Sequence, residues 1–354
     1  AIDYPDNRTI LGRYPKQLFK NSDLVFLWGE EQYKLLNKNI SNESKVIISG
    51  HPRFSLLNEI FQSIYKEEIS KIKMTYNSFI LVNTNMSFGN NIMGDDFVIK
   101  NYVTRYSNIK DIVAHDKKKA NSFISLIHKI SSLSDKKIVI RPHPEEDINL
   151  YFNSFKENKN VHVIFKNSVI PWLFASEIMI HPDCTTAIES LLIGKKSISY
   201  LPKNYEKDLV TVLPLKASYC FDNESDVVEF LINESYKESS VQIDNYSFLE
   251  DNFSMFKDSE RMICDALAPY IQKQNMNQDL NISFFKKLYF ILKMVKRNFS
   301  TGNSSNLSKN KLQGFNLVEI IKIKEKLEHN RKDFNLVDLN QVLHNSLYSF
   351  KRRN

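Results

Sequence analysis

Cysteine is nearly missing from this sequence: Cys184, Cys220 and Cys264 are the three in 354 residues. An odd, sparse set without paired spacing excludes a disulfide framework and a cysteine-built metal site, and points to a reducing compartment. No run of about 18 apolar residues occurs, which excludes a membrane-spanning helix. The start has neither the basic and apolar regions of a secretory signal nor an initiator Met. The chain opens at Ala1 inside what reads as the middle of a domain, so a further N-terminal portion is expected to precede it.

Positive charge is likewise missing from most of the chain. Asn277 to Asn354 carries 15 Lys and Arg against 6 Asp and Glu, whereas the first 276 residues carry 33 against 35. The net charge of +7 therefore resides in the tail. Its cations alternate with apolar residues and match no nucleic-acid-binding motif, so no nucleic-acid partner is expected. What is present is the makeup of a globular protein, 42% apolar and 25% charged, long enough for two α/β domains.

The stretch from Ile178 to Tyr200 reads strand, tight turn, helix, strand. Ile178-Met179-Ile180 is an apolar run broken by His181-Pro182-Asp183. A helix is expected from Cys184 to Ile193, with Asp183 as N-cap, Ala187, Ile188, Leu191 and Leu192 as its apolar face and Gly194 as its stop. In an open parallel sheet, ligands bind beyond the carboxyl ends of the strands. Backbone N–H groups and the hydroxyls of Thr185 and Thr186 at such a turn suit a phosphate. Glu189, one turn beyond Thr185, suits the hydroxyls of a ribose.

A second turn of this kind follows the β-rich run Lys137–Arg141, which ends in R-P-H-P-E-E and places Arg141 and His143 at a strand end. A third, N-T-N-M-S-F-G-N-N after the strand Ser78–Thr84, is rich in amides, among them Asn83 and Asn85. Each also has a plain reading: His before Pro can shape a turn, Thr-Thr can cap a helix, and an amide-rich loop can be a polar connection.

Strands and helices alternate on either side of these turns. Asp3–Arg13 reads as polar and turn-rich, Tyr14–Asn21 as a short helix, and Asp23–Trp28 and Lys45–Ser49 as strands flanking a helix from Glu31 to Asn37. Arg53 to Lys73 reads as one helix leading out of this unit. Beyond it, the amphipathic stretch Asp116–Leu133, short helices at Ile148–Glu157 and around Trp172, and strands at Val161–Phe165 and Ser218–Phe221 complete a doubly wound pattern that ends in a helix at Glu224–Asn233. Another helix starts near Asp258, placed to pack back across both domains. In Asn281–Phe299, Phe284, Phe285, Leu288, Ile291, Leu292 and Val295 share one face, flanked by Lys286, Lys287, Lys293, Lys296 and Arg297. That pattern fits either an anionic membrane surface or a helix packed on the protein with a solvated basic rim. Thr301–Lys311 reads as a linker, and Val318–Leu327 and Leu336–Phe350 as small helices.

The motifs W-G-E at Trp28, S-G-H-P-R-F at Ser49, V-N-T-N at Val82, R-P-H-P-E at Arg141, H-P-D-C-T-T-A-I-E-S at His181 and D-S-E-R-M at Asp258 together resemble bacterial surface carbohydrate biosynthesis proteins of the O-antigen and capsule systems. The resemblance runs from about Asp3 to Tyr270. It implies an α/β, GT-B-like fold with two Rossmann-like domains. The first, residues 1–73, is incomplete and faces the acceptor; the second, 74–257, binds the nucleotide sugar. A crossover helix, 258–276, and a basic helical tail, 277–354, complete the layout.

More distantly, the H-P motif followed by a hydroxyl pair is similar to capsule Kdo transferases, polysialyltransferases and CDP-glycerol glycerophosphotransferases. That likeness implies a cytidine nucleotide donor whose phosphate is held by His143, Thr185 and Thr186, and Glu189 matches the ribose-binding Glu of several GT-B enzymes. The strand-end turns themselves add Arg141, Asn83, Asn85 and the helix start at Cys184 as nucleotide-binding candidates. His143 also counts among the catalytic candidates, and Asp3 or Asp6 lies where relatives carry an acidic motif that can furnish a base. No cofactor and no metal are implied, since GT-B enzymes generally stabilise the departing phosphate with protein donors. No D-x-D stands on a strand-end loop; Asp95-Asp96, the nearest acidic pair, reads as exposed loop. The expected function is a glycosyltransferase of surface polysaccharide assembly, with a CMP-linked ulosonic acid such as CMP-Kdo ahead of CDP- or UDP-linked donors and a glycan or lipid-linked glycan as acceptor. The expected place is the cytoplasm, at the inner face of the membrane. The alternatives are a non-catalytic GT-B-like scaffold and a phosphotransferase moving a CDP-linked alcohol phosphate.

Overall fold

Alternating apolar residues that point to opposite faces of a strand require cover on both sides, and the central strands of this chain meet that requirement with helices. The computed structural model describes residues 7–40, 45–165, 168–238, 246–254, 258–273, 283–299, 316–330, 337–343 and 347–352. Asp3 and Asp6 lie outside them. In chain order the strands are β1 (Leu24–Leu27), β2 (Lys45–Ile48), β3 (Phe79–Asn83), β4 (Lys137–Arg141), β5 (Val161–Val163), β6 (Ile178–His181), β7 (Ser197–Tyr200), β8 (Tyr219–Phe221), β9 (Val337–Leu343) and β10 (Leu347–Arg352).

Six of them form one all-parallel sheet in the order β5-β4-β3-β6-β7-β8. From β3 the chain winds outward through β4 and β5, then returns to lay β6 on the other side of β3. The direction of winding reverses between β3 and β6, which opens a crevice at their carboxyl ends. Ile80, Val82, Ile138, Ile140, Ile178 and Ile180 pack on Ala120, Phe123, Ile127 and Ile130 of the helix Ile109–Leu133. Phe79, Leu81, Val139 and Met179 face Trp172, Leu173, Ile188 and Leu191. Full burial of a side chain such as Phe123 contributes roughly 1.5–3 kcal/mol.

The N-terminal unit is a parallel pair, β1 and β2, cored by Ile10, Phe19, Val25, Leu27 and Leu36. The helix Tyr246–Phe253 returns to it, where Phe253 meets Phe54 edge to face at 5.2 Å and lies 6.2 Å from Trp28. Gly50 makes the close approach between them: its φ is +81°, and a Cβ there would lie 2.5 Å from Ser259 Oγ and 2.9 Å from Ser254 O. The helix Glu59–Tyr76 then carries the chain to the large sheet, with Tyr65 stacked on Phe174 at 6.4 Å. The α/β class expected from the sequence stands, with parallel sheets in both units.

Several local expectations are corrected. The helix expected at Arg53–Lys73 is two helices, Pro52–Ser55 and Glu59–Tyr76. The turn-rich start contains a helix, Arg8–Arg13, and the Asp116–Leu133 helix begins at Ile109, where Ile109, Ile112 and Val113 join a small core with Val98, Tyr106 and Leu209. Asp95 and Asp96 are not loop: they open the helix Asp95–Tyr102, where carboxylates suit the positive end of the dipole. Helices Phe284–Phe299 and Leu317–Asn330 form in the tail, but the helix expected at Leu336–Phe350 is an antiparallel hairpin of β9 and β10. Among the described residues, no helix is long and apolar enough to cross a membrane.

Candidate functional site

Three turns meet where the sheet reverses. The turn after β3 carries Asn83, Thr84 and Asn85, the turn after β4 carries Arg141 and His143, and the turn after β6 runs from His181 to Thr186. Asn83 and Arg141 are register partners at the ends of their strands. Asn83 Nδ2 donates to Thr186 Oγ1 at 3.1 Å and Asn85 Nδ2 to Asp183 Oδ1 at 2.8 Å, so the first turn is tied to the third.

Glu146 ties the first turn to the second. Its buried carboxylate accepts from Thr84 Oγ1 at 2.8 Å, Met86 N at 2.9 Å, His143 N at 3.3 Å and Tyr151 OH at 2.5 Å. Burial pushes this carboxyl above its ordinary value, and the hydrogen bonds from Tyr151 and Thr84 oppose that. His143 Nδ1 accepts from Glu145 N at 3.3 Å, which leaves the proton of the neutral ring on Nε2. That tautomer makes Nε2 a hydrogen-bond donor.

Asp183 is not the N-cap that its position suggested. The helix runs Thr186–Leu192, shorter than the expected Cys184–Ile193, with Thr185 as N-cap and no side-chain capping bond. Gly194, at φ +71°, ends it as expected. Asp183 instead lies buried among Asn85, Lys119 and Thr211. Lys119 Nζ stands 3.2 Å from Asp183 Oδ1 and 2.9 Å from Asp116 Oδ1, while Thr211 N donates to Asp183 Oδ2 at 2.8 Å. Burial alone would raise the Asp183 carboxyl, but Lys119 and the donors from Thr211 and Asn85 outweigh it and hold the group below its ordinary value. Asp116 accepts from Phe88 N at 3.1 Å and so anchors the loop after β3; Gly89 is required beside it, since a Cβ would lie 2.4 Å from Lys117 N.

His181 has a structural place. Its Nδ1 accepts from Cys184 N at 3.1 Å and its Nε2 pairs with Ser218 Oγ at 2.8 Å, and burial lowers its pKa to about 3. The Cys184 thiol is buried, which pushes it up to about 11 and leaves it a packing group that accepts from Thr186 Oγ1 at 3.2 Å. Thr185 is exposed, and Thr186 is half-buried.

Of the remaining predicted residues, Arg141 lies on the sheet face that carries Trp172, its guanidinium 5.1 Å from the ring centroid, with burial lowering its pKa to about 10 and Glu68 opposing. Glu189 is buried and ion-paired: Arg53 Nε stands 2.7 Å from its Oε1. Three acceptor atoms around the crevice, Asn83 Oδ1, Asn85 Oδ1 and Glu189 Oε2, have no hydrogen-bond partner among the described residues. A cavity of about 710 Å³ opens alongside, lined by Ser199, Tyr205, Lys207, Phe221 and Asp222 at the carboxyl ends of β7 and β8. Lys119, Asp116, Thr211, Glu146 and Arg53 were not foreseen as parts of this region. A buried lysine within the helix K-K-K-A was open to notice only through its place on the apolar face, four residues before Phe123.

No family model matches the chain. Over 127 residues, 36% of this chain and 71% of the relative, the sequence is 28% identical to a dihydrofolate reductase of Mycoplasma genitalium. Among solved structures, the chain is similar to the UDP-GlcNAc 2-epimerase of Methanocaldococcus jannaschii in complex with UDP-GlcNAc and UDP, at 16% identity and a TM-score of 0.44, over 70% of this chain and 61% of that one. It is also similar to a variant of the wall teichoic acid polymerase TagF, at 12% identity and 0.44 over 71% and 59% of the two chains. HepE of Anabaena, in complex with UDP-glucose, gives 12% and 0.40 over 76% and 70%. The chain thus spans about three-fifths of the length of the first two structures.

Proposed function

We propose that the chain is a GT-B-type glycosyltransferase that holds a nucleotide-activated sugar across the crevice between β3 and β6. The observation that carries this reading is the joining of three strand-end turns, through Asn83 to Thr186 and through Glu146 to both Thr84 and His143, at the point where the sheet reverses. The unpartnered acceptors at Asn83, Asn85 and Glu189 lack donors of the kind that ribose hydroxyls and a base amine supply. The imidazole N–H of His143 and the hydroxyl of Thr185 are donors of the kind a departing phosphate requires. The neighbouring cavity has the volume of a small-molecule site and would take the sugar.

The finer reading is a CMP-linked ulosonic acid as donor, a surface glycan or its lipid-linked form as acceptor, and Asp3 or Asp6 as the base. What supports it is the H-P and Thr-Thr pattern of the sequence. In this reading protein groups alone stabilise the phosphate, and no metal takes part. The tail helix Phe284–Phe299 would hold the enzyme at the inner face of the cytoplasmic membrane: its Phe284 and Phe285 are 72% and 80% exposed, beside Lys286 and Lys287.

Calorimetric titration with CMP, CDP, UDP and dihydrofolate tests the reading. Saturable binding of a pyrimidine nucleotide supports it, and transfer of sugar from the corresponding donor would follow. Binding of dihydrofolate alone, or of none of the four at millimolar concentration, overturns it.

A further inference from the structure

Arg53 and Glu189, far apart in sequence, meet beside the crevice. Arg53 Nε donates to Glu189 Oε1 at 2.7 Å; the glutamate side chain is 4% exposed and the arginine 54%. A carboxylate this deeply buried demands a charged partner. The partner comes from the other unit, where the backbone leading into Arg53 is fixed. Its N–H donates to His51 Nδ1 at 3.1 Å, and the His51 ring lies 4.0 Å from that of Trp28. The preceding Gly50 turn is wedged against Ser254 and Ser259.

A guanidinium carries five N–H donors in one plane. Nε is taken by Glu189, while the terminal nitrogens of Arg53 make no hydrogen bond among the described residues and belong to an exposed side chain. Glu189 follows Thr185 and Thr186 by four and three positions in the helix Thr186–Leu192 and its cap. That spacing makes each threonine a neighbour of Glu189 along the helix, with Cβ atoms about 5–6 Å from it.

We infer that Arg53 is the phosphate-binding cation of the donor site, supplied by the N-terminal unit and aimed by Glu189, which acts as a positioning residue. This rests on the nucleotide-donor reading above. It moves the cation from Arg141, whose guanidinium lies on Trp172, to the side of the crevice that carries the hydroxyl pair. The planar fork suits two phosphate oxygens at once, which a lysine ammonium does not reproduce. It also couples the two units to the donor, since phosphate and Glu189 hold opposite edges of one guanidinium.

The test compares each nucleotide with its own nucleoside: CMP with cytidine and UDP with uridine, by calorimetry on wild type and variants. Arg53→Ala is expected to weaken the nucleotide that wild type binds by roughly ten- to a hundredfold and to leave the nucleoside unchanged, with Arg53→Lys between. Arg53→Ala also strands a buried carboxylate, so the double variant Arg53→Met with Glu189→Gln, which leaves no orphan charge, accompanies it and should lose the same phosphate preference. Wild-type nucleotide affinity in a folded double variant, or an equal loss for nucleoside and nucleotide, overturns the assignment of Arg53. A wild type that binds neither ligand overturns the donor reading beneath it.

Discussion

Asn83 and Thr186 meet at 3.1 Å, amide to hydroxyl, and the bond joins the ends of two neighbouring strands whose connections wind away in opposite directions. Its loss should loosen the hydroxyl without exposing core. Asn83→Leu is expected to weaken nucleotide binding about tenfold, the worth of one hydrogen bond of about 1.4 kcal/mol, with little change in melting temperature. A variant that melts early yet binds as wild type would make the contact a structural one.

Lys119 stands between two buried carboxylates, those of Asp116 and Asp183. Replacing it with Met leaves both without their cation, and breaking a buried pair in this way costs about 3–5 kcal/mol. Urea denaturation of Lys119→Met should show that loss. A midpoint close to wild type would mean that the two acids do not depend on it.

Burial holds His181 neutral and takes its pKa from 6.5 to about 3. Between those values the unfolded chain binds a proton that the folded chain does not, so stability is full above the higher value and falls as pH drops toward the lower. His51 and His115, each lowered to about 4 mainly by burial, add to the same slope. Thermal melts from pH 8 to pH 4 should show a steep decline that is shallower in His181→Gln, whose side chain can still accept from Cys184 N. An unchanged slope in the variant would remove His181 from this account.

Much of this arrangement was legible in the sequence, because β3, β4 and β6 are apolar runs ended by breakers, and a parallel sheet places such ends together. The class of fold and the turns that matter follow from that pattern. Partnerships across the fold do not. Asp183 sits where an N-cap would, and nothing nearby in sequence shows that Lys119 and Thr211 claim its oxygens first. The pairing of Glu189 with Arg53 could not be read either, because Arg53 belongs to a different unit. The hairpin of β9 and β10 is different: V-D-L-N-Q-V-L alternates with period two over its first residues, and reading it as helix overlooked that signal.

The tail helix offers a test of location. Phe284, Phe285, Leu288, Tyr289, Ile291, Leu292 and Val295 are all exposed, against the alternative of a helix packed on the protein. Sedimentation with vesicles containing anionic lipid is expected, weakening as salt rises, with each lysine contributing about 1 kcal/mol near the surface. Phe285→Asp should abolish it. Equal recovery with neutral vesicles, or none with either, would contradict a charged membrane surface as the partner.

His143, whose Nδ1 accepts from Glu145 N, is the residue at which the proposed donor site is tested most directly. The deciding measurement is nucleotide titration of His143→Ala beside wild type, with melting temperatures recorded on the same samples. Loss of one charge-assisted contact of about 1.5–3 kcal/mol should weaken binding by roughly one to two decades and leave melting nearly unchanged. The loss should be less than additive with that of Thr185→Ala and Thr186→Ala, since the contacts share one phosphate. A His143→Ala protein that is destabilised yet binds its nucleotide with wild-type affinity would contradict the assignment of the donor site.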